Sequence, residues 1–195
     1  MLPGKFVAVI ACSINMTDTR VLALVGSLRA DSLNRKIAEA IQAQAPAGTT
    51  IEIAEGLGNL PFYNEDIDGD AAPASVVAFR DQVAQADRLL VVTPEYNGST
   101  PAVIANAIDW ASRPYGAGSI QGKPVAVVGT AVGQYGGQWA HEDTRKVAGV
   151  AGAEVLADIT VSHPYAWGTD PSTDAEAVAK FVTAVEKLAV HEGVA

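Results

Sequence analysis

Two hydroxyls, a carboxamide and two guanidiniums fall within one short stretch, Gly26-Ser27-Leu28-Arg29-Ala30-Asp31-Ser32-Leu33-Asn34-Arg35. Ser27, Ser32 and Asn34 can donate hydrogen bonds, and Arg29 or Arg35 can add positive charge, a set that suits an anion. Arg20–Val25 precedes it as an aliphatic, β-branched run without Gly or Pro, the pattern of a strand buried on both faces. After it, Leu33, Ile37, Ala40 and Ile41 recur at helical spacing, with Asp31 or Ser32 as N-cap. A helix start turns its first N–H groups and the positive end of its dipole toward whatever lies in the loop. By itself the segment reads equally as an anion site or as an ordinary strand-to-helix turn with a good cap, so the rest of the chain must decide.

The rest alternates strands and helices. Pro46-Ala47-Gly48 ends the first helix, and Thr50–Ala54 reads as a second strand, followed by a turn-rich loop over Gly56–Asp66. A helix is expected over Ala74–Ala86, a third strand over Arg88–Thr93, and a helix from Pro101 to about Ser112. Pro124–Val128 reads as the fourth strand and Gln138–Val150 as a helix. A weak fifth strand is expected near Glu154–Leu156, an irregular stretch from Ile159 to Asp174, and a last helix over Thr173–Val190. This alternation predicts an α/β fold with a five-stranded parallel sheet covered on both faces, in the order 2-1-3-4-5. The expectation is one domain over 19–195, with residues 1–18 as an extension: Met16-Thr17-Asp18 looks like a natural start, and the apolar run Phe6–Cys12 is short for a signal peptide.

In such a sheet, ligands bind beyond the carboxyl ends of the strands. Strands 1, 3 and 4 would be neighbours, so the loops Ser27–Asn34, Pro94–Thr100 and Gly129–Gly137 converge into a pocket for a flat, phosphorylated ligand. Tyr96, flanked by loop-formers, is a stacking candidate. Trp110 and Ile108 fall on a helix stripe and are assigned to the core. Glu95 is a lone carboxylate at a strand end, as well suited to a helix-end contact as to acid–base work.

Composition narrows the partners. The net charge is -9 over 195 residues with no Lys/Arg-rich run, which argues against nucleic acid and anionic membranes. Cys12 is the one cysteine, and His141, His163 and His191 lack metal-ligand spacing and read as surface or structural, so no metal site is expected. No Gly-x4-Gly-Lys-Ser/Thr, dinucleotide Gly-x-Gly-x-x-Gly or Gly-x-Ser-x-Gly pattern occurs in the relevant loops.

The stretch Gly26–Arg35 resembles the phosphate loop of the NAD(P)H-dependent FMN reductase family, which includes chromate, quinone and some azo reductases. Pro94-Glu95-Tyr96-Asn97-Gly98-Ser99-Thr100-Pro101, continuing through Asn106–Arg113, resembles its second signature. Gly122-Lys123-Pro124-Val125 and Gly133-Gln134-Tyr135-Gly136-Gly137 are similar to its third, and Leu60–Asp66 to its loop beside the flavin. The resemblance implies a flavodoxin-like three-layer fold, bound FMN, NADPH or NADH as reductant, a small-molecule electron acceptor, a cytoplasmic location and a homodimer or homotetramer. It implies that Ser27, Arg29, Ser32, Leu33 and Asn34 hold the FMN phosphate. Pro94, Glu95, Tyr96 and Asn97 would lie along the isoalloxazine, and Gly129, Thr130, Ala131 and Gly133 would close the other side. No catalytic side chain is implied, because the cofactor carries the chemistry. Two departures stand out: Ala131 where many members have a polar residue, and Gln138-Trp139 where small and basic residues are expected. A flavodoxin-type electron carrier is the competing reading, disfavoured by Arg29 in the first loop.

Overall fold

A computed structural model of the chain describes residues 18–193. The expected extension, apart from Asp18, lies outside them. Five strands, β1 (Thr19–Val25), β2 (Thr49–Ile53), β3 (Arg88–Val92), β4 (Pro124–Val132) and β5 (Glu154–Tyr165), alternate with five helices. These are α1 (Leu33–Ala43), α2 (Ala74–Gln85), α3 (Ala102–Ala111), α4 (Gln138–Val150) and α5 (Ala175–Val190). The strands form one sheet in the order β2-β1-β3-β4-β5, every pair parallel. The fold is the flavodoxin-like α/β arrangement.

The period of two along each strand divides the core. Leu22 and Leu24 of β1 pack with Val76, Phe79, Ile104 and Trp110 on the face covered by α2 and α3. Val21, Ala23 and Val25 point the other way, against Ile37 and Ile41 of α1 and Phe181 and Val185 of α5. Trp110 and Ile108 are buried as expected, and the Trp110 indole N–H donates to the Pro61 carbonyl at 2.8 Å. Asn106 adds to this anchor, accepting the Tyr63 N–H at 2.8 Å and donating to Pro61 at 3.0 Å. The loop over Leu60–Asp66 is thereby pinned to α3.

Two expectations need correction. The fourth strand continues to Val132, so Gly129, Thr130 and Ala131 are strand residues rather than the start of a loop. The fifth runs on to Tyr165 through a segment expected to be irregular. The two extensions sustain each other: Gly129 pairs with Ser162, Thr130 with His163 and Ala131 with Pro164. The register jumps from Val125↔Val155 to Val127↔Thr160, so β5 bulges before this second stretch. Because β5 lies at the sheet edge, Pro164 costs it no ladder bond on its outer side.

Candidate active site

The carboxyl ends of β1, β3 and β4 meet where the sequence places the ligand. Ser27, at the end of β1, is buried, and Arg29 is exposed in the loop that follows. Ser32 caps α1, its hydroxyl accepting the Arg35 N–H at 3.2 Å. The next two N–H groups, on half-buried Leu33 and buried Asn34, have no acceptor among the described residues. Asp31 is turned aside to Lys36 at 2.6 Å, and Lys36 also reaches Asp170 at 3.2 Å. The loop is thus tied to the segment before α5. Its remaining donors, the Ser27 hydroxyl, two helix N–H groups and the rest of the Arg29 guanidinium, which spends one N–H on the Asp31 carbonyl at 3.3 Å, match a phosphate.

Asn34 plays a part that its place in the motif does not reveal. Its carboxamide donates to the Thr130 carbonyl and accepts the Thr130 N–H, each at 2.9 Å, so its side chain is not free to bind an anion. The bidentate pair imitates a neighbouring peptide group. It takes over the edge of β4 at the point where β3 has ended. Only the backbone N–H of Asn34 remains for a ligand.

The β3–α3 loop forms the second wall. Pro94 and Glu95 are half-buried, and the Glu95 carboxylate accepts the Ala140 N–H at 3.1 Å, a helix-end contact at the first turn of α4. Tyr96 and Ser99 exchange backbone hydrogen bonds across Asn97 and Gly98, whose φ angles of 54° and 72° define a tight turn of the mirror-image type favoured by Asn-Gly. The Tyr96 ring is half exposed, and its hydroxyl lies 3.4 Å from the Ser27 hydroxyl, spanning the first and second loops. Asp143 of α4 fixes the loop from the other side, accepting from the Ser99 hydroxyl at 2.6 Å and the Thr100 N–H at 3.1 Å. Those bonds, the Ser99 hydroxyl foremost, hold its carboxyl below the usual carboxylate range.

Gly129 lies at the floor. A Cβ there would stand 2.0 Å from the Thr93 carbonyl oxygen and 2.9 Å from Asn34 Oδ1, so only glycine lets these groups approach. Half-buried Ala131 and exposed Gly133 line the rim above it.

Beneath the floor is His141, wholly buried on α4. Its Nε2 lies 2.9 Å from the Thr93 carbonyl, which can only accept, so Nε2 carries the proton and Nδ1 accepts from the Ser162 hydroxyl at 2.7 Å. The ring ties β3, β5 and α4 together. Burial pushes its pKa below 6.5, as it does that of His163. A depressed histidine pKa means that folding favours the neutral ring, so this contribution is intact above the ordinary value and is lost as pH falls through it. Thermal stability is expected to drop as pH falls below about 6.5, well above the carboxylate window, with the slope reduced in His141→Gln. Melting curves over pH 5–8 (roughly the histidine range) test this; an unchanged slope in the variant would assign the effect elsewhere.

The FMN reductase model, described as NADPH-dependent FMN reductase, matches residues 19–168. The chain belongs to that family. A quinone reductase of Pseudomonas putida is 47% identical over 126 residues, covering 65% of this chain and 67% of the relative. A 2-hydroxy-1,4-benzoquinone reductase of a Burkholderia species is 45% identical over 128 residues, covering 66% and 69%. Among solved structures, a flavoenzyme NAD(P)H:(acceptor) oxidoreductase of Paracoccus denitrificans superposes with a TM-score of 0.77 at 36% identity, over 90% of this chain and all of the other. As a member of the FMN reductase family the chain is an NAD(P)H-dependent oxidoreductase with FMN as cofactor and a small-molecule acceptor. The helix-start donors fit that cofactor's phosphate. Among the described residues, no helix is long and apolar enough to cross a membrane.

Proposed function

We propose that this protein is an FMN-dependent quinone reductase whose cofactor lies across the ends of β1, β3 and β4. The observation that carries this reading is the convergence of an anion-accepting helix start with the β3–α3 loop, whose Tyr96 hydroxyl meets Ser27, at one end of the sheet. Ser27, Arg29 and the N–H groups of Leu33 and Asn34 would hold the phosphate, with Ser32 shaping the turn as its cap. Pro94, Glu95, Tyr96 and Asn97 would border one side of the ring, and Gly129, Thr130, Ala131 and Gly133 the other.

FMN, when bound, supplies the redox chemistry, accepting hydride from NAD(P)H and passing it on. The balance for a quinone is NAD(P)H plus a proton plus quinone, giving NAD(P)⁺ and hydroquinone. The protein's task is to orient: the Asn34–Thr130 pair and His141 fix the floor, and Asp143 and Glu95 fix the wall. No side chain is assigned an acid or base role. Quinone is preferred over free flavin, azo dye or chromate because relatives at 47% and 45% identity carry quinone reductase names.

A homodimer or homotetramer in the cytoplasm, formed by one domain over 19–195, completes the proposal. Self-association is supported by a flank away from the site, where exposed Tyr115 and Val150 border a cavity of about 580 Å³ of mixed polarity between α3 and α4.

The test is spectroscopic. The purified protein should show a flavin spectrum that NADPH bleaches without oxygen and that 1,4-naphthoquinone restores. A flavin left oxidised by both NADPH and NADH would overturn the reading, as would failure to bind added FMN.

A further inference from the structure

We propose that Tyr135 and Trp139 form an aromatic shelf that selects uncharged planar acceptors over oxyanions. The proposal rests on the flavin reading above and names the acceptor class of that same site.

Both rings stand at the start of α4, about half exposed at 48% and 52%. They pack on each other with centroids 5.1 Å apart and planes tilted by 36°. Trp139 lies over the turn of the β3–α3 loop: its Cε3 is 3.7 Å from where a Cβ on Gly98 would be. The shelf therefore adjoins the wall that carries Tyr96. It is also held in place. The positive φ of Gly136 and Gly137 sets the entry to α4, and Glu95 and Asp143 tie α4 to the β3–α3 loop. Large aromatic faces kept half in water at a cleft edge leave area for a further ring to cover, and stacking prefers flat partners.

Charge around the shelf points the same way. Glu95 binds the first turn of α4, and Glu142 and Asp143 follow Trp139 by one helical turn, with Glu142 accepting from Gln138 at 2.7 Å. Of the nearby cations, Arg145 turns back to the Val127 carbonyl at 3.3 Å, where it still feels Glu142, and Lys146 lines the cavity between α3 and α4 and acts on Asp143, so Glu95 has no such cation among these two. Arg29 belongs to the phosphate end. A neutral quinone can use the rings without opposing these carboxylates, whereas chromate gains nothing from the rings and is repelled by the rim.

The test compares the wild-type holoenzyme with Trp139→Leu and Tyr135→Leu. Two readouts are needed: kcat/KM for 1,4-naphthoquinone against chromate, and the Kd of redox-inert 2-naphthol from perturbation of the flavin spectrum. Trp139→Leu is expected to raise the naphthol Kd and the naphthoquinone KM roughly tenfold, the scale of one lost ring contact. The preference for naphthoquinone over chromate should fall by the same factor, and Glu142→Gln should shift that preference toward chromate at low salt. The shelf is overturned if both acceptors decline together, if naphthol binding is unaltered, or if Trp139→Leu changes the sedimentation coefficient, which would make the pair an interface between copies. A wild-type protein that NADPH does not bleach would instead overturn the underlying flavin reading, before any variant is compared.

Discussion

Gly129→Ala is expected to lower the melting temperature by about 6–12 °C, corresponding to about 3 kcal/mol in a chain of this size. The added Cβ would stand 2.0 Å from the Thr93 carbonyl oxygen and 2.8 Å from His141 Nε2. Neither neighbour can yield cheaply. The carbonyl belongs to backbone at the end of a central strand, and the imidazole is held at both nitrogens by Thr93 and Ser162. Relief would require β3 and β4 to part at the point that frames the cofactor cleft, so FMN affinity should fall together with stability. Thermal melting of the apoprotein and a flavin fluorescence titration measure the two effects separately. Wild-type stability in the variant would show that the three strand ends have far more freedom than their packing implies.

Asn34→Ala should be nearly as damaging, although the residue lies in the phosphate loop. The substitution strands the Thr130 N–H and carbonyl in a buried site, at roughly 1–3 kcal/mol for each group left unpaired. It also removes the tether between the first turn of α1 and the end of β4. Asn34→Asp provides a sharper comparison. A carboxylate could still accept the Thr130 N–H, but it would face the Thr130 carbonyl with no proton to donate, so Asp should rescue little. A simple phosphate ligand would behave differently: Asn34→Ala would weaken FMN binding and leave the apoprotein's melting temperature unchanged. That outcome would refute the strut assignment.

Local features of the sequence were the legible ones. The aliphatic runs of β1 and β3 and the 3.6-residue stripes of α1 and α5 follow from burial on two faces or one. The Asn97-Gly98 turn and the Ser32 cap are written in residue types that few other conformations favour. The second half of β5 was not legible: an edge strand is only partly buried, and Pro164 within it argues against a strand unless its neighbours are known. The same blindness hid the length of β4, since Gly129 looks like a strand terminator until its contact with Thr93 is seen. The motif around Asn34 was recognisable, but the side chain's role was not. Its partner, Thr130, is 96 positions away. His141 shows the same limit, for nothing in Trp139-Ala140-His141-Glu142 distinguishes a surface histidine from one that joins two strand ends.

The bond between Asn34 and Thr130 also bears on how the cleft can open. The first turn of α1 cannot lift without unzipping the tip of β4, and the tip cannot fray without releasing that turn. Phosphate loop and strand end therefore belong to one cooperative unit of local unfolding. In amide hydrogen exchange the Thr130 N–H would report on both, although it lies 96 positions along the chain from the loop. A ligand gripping α1 would then slow exchange in a strand that it need not touch.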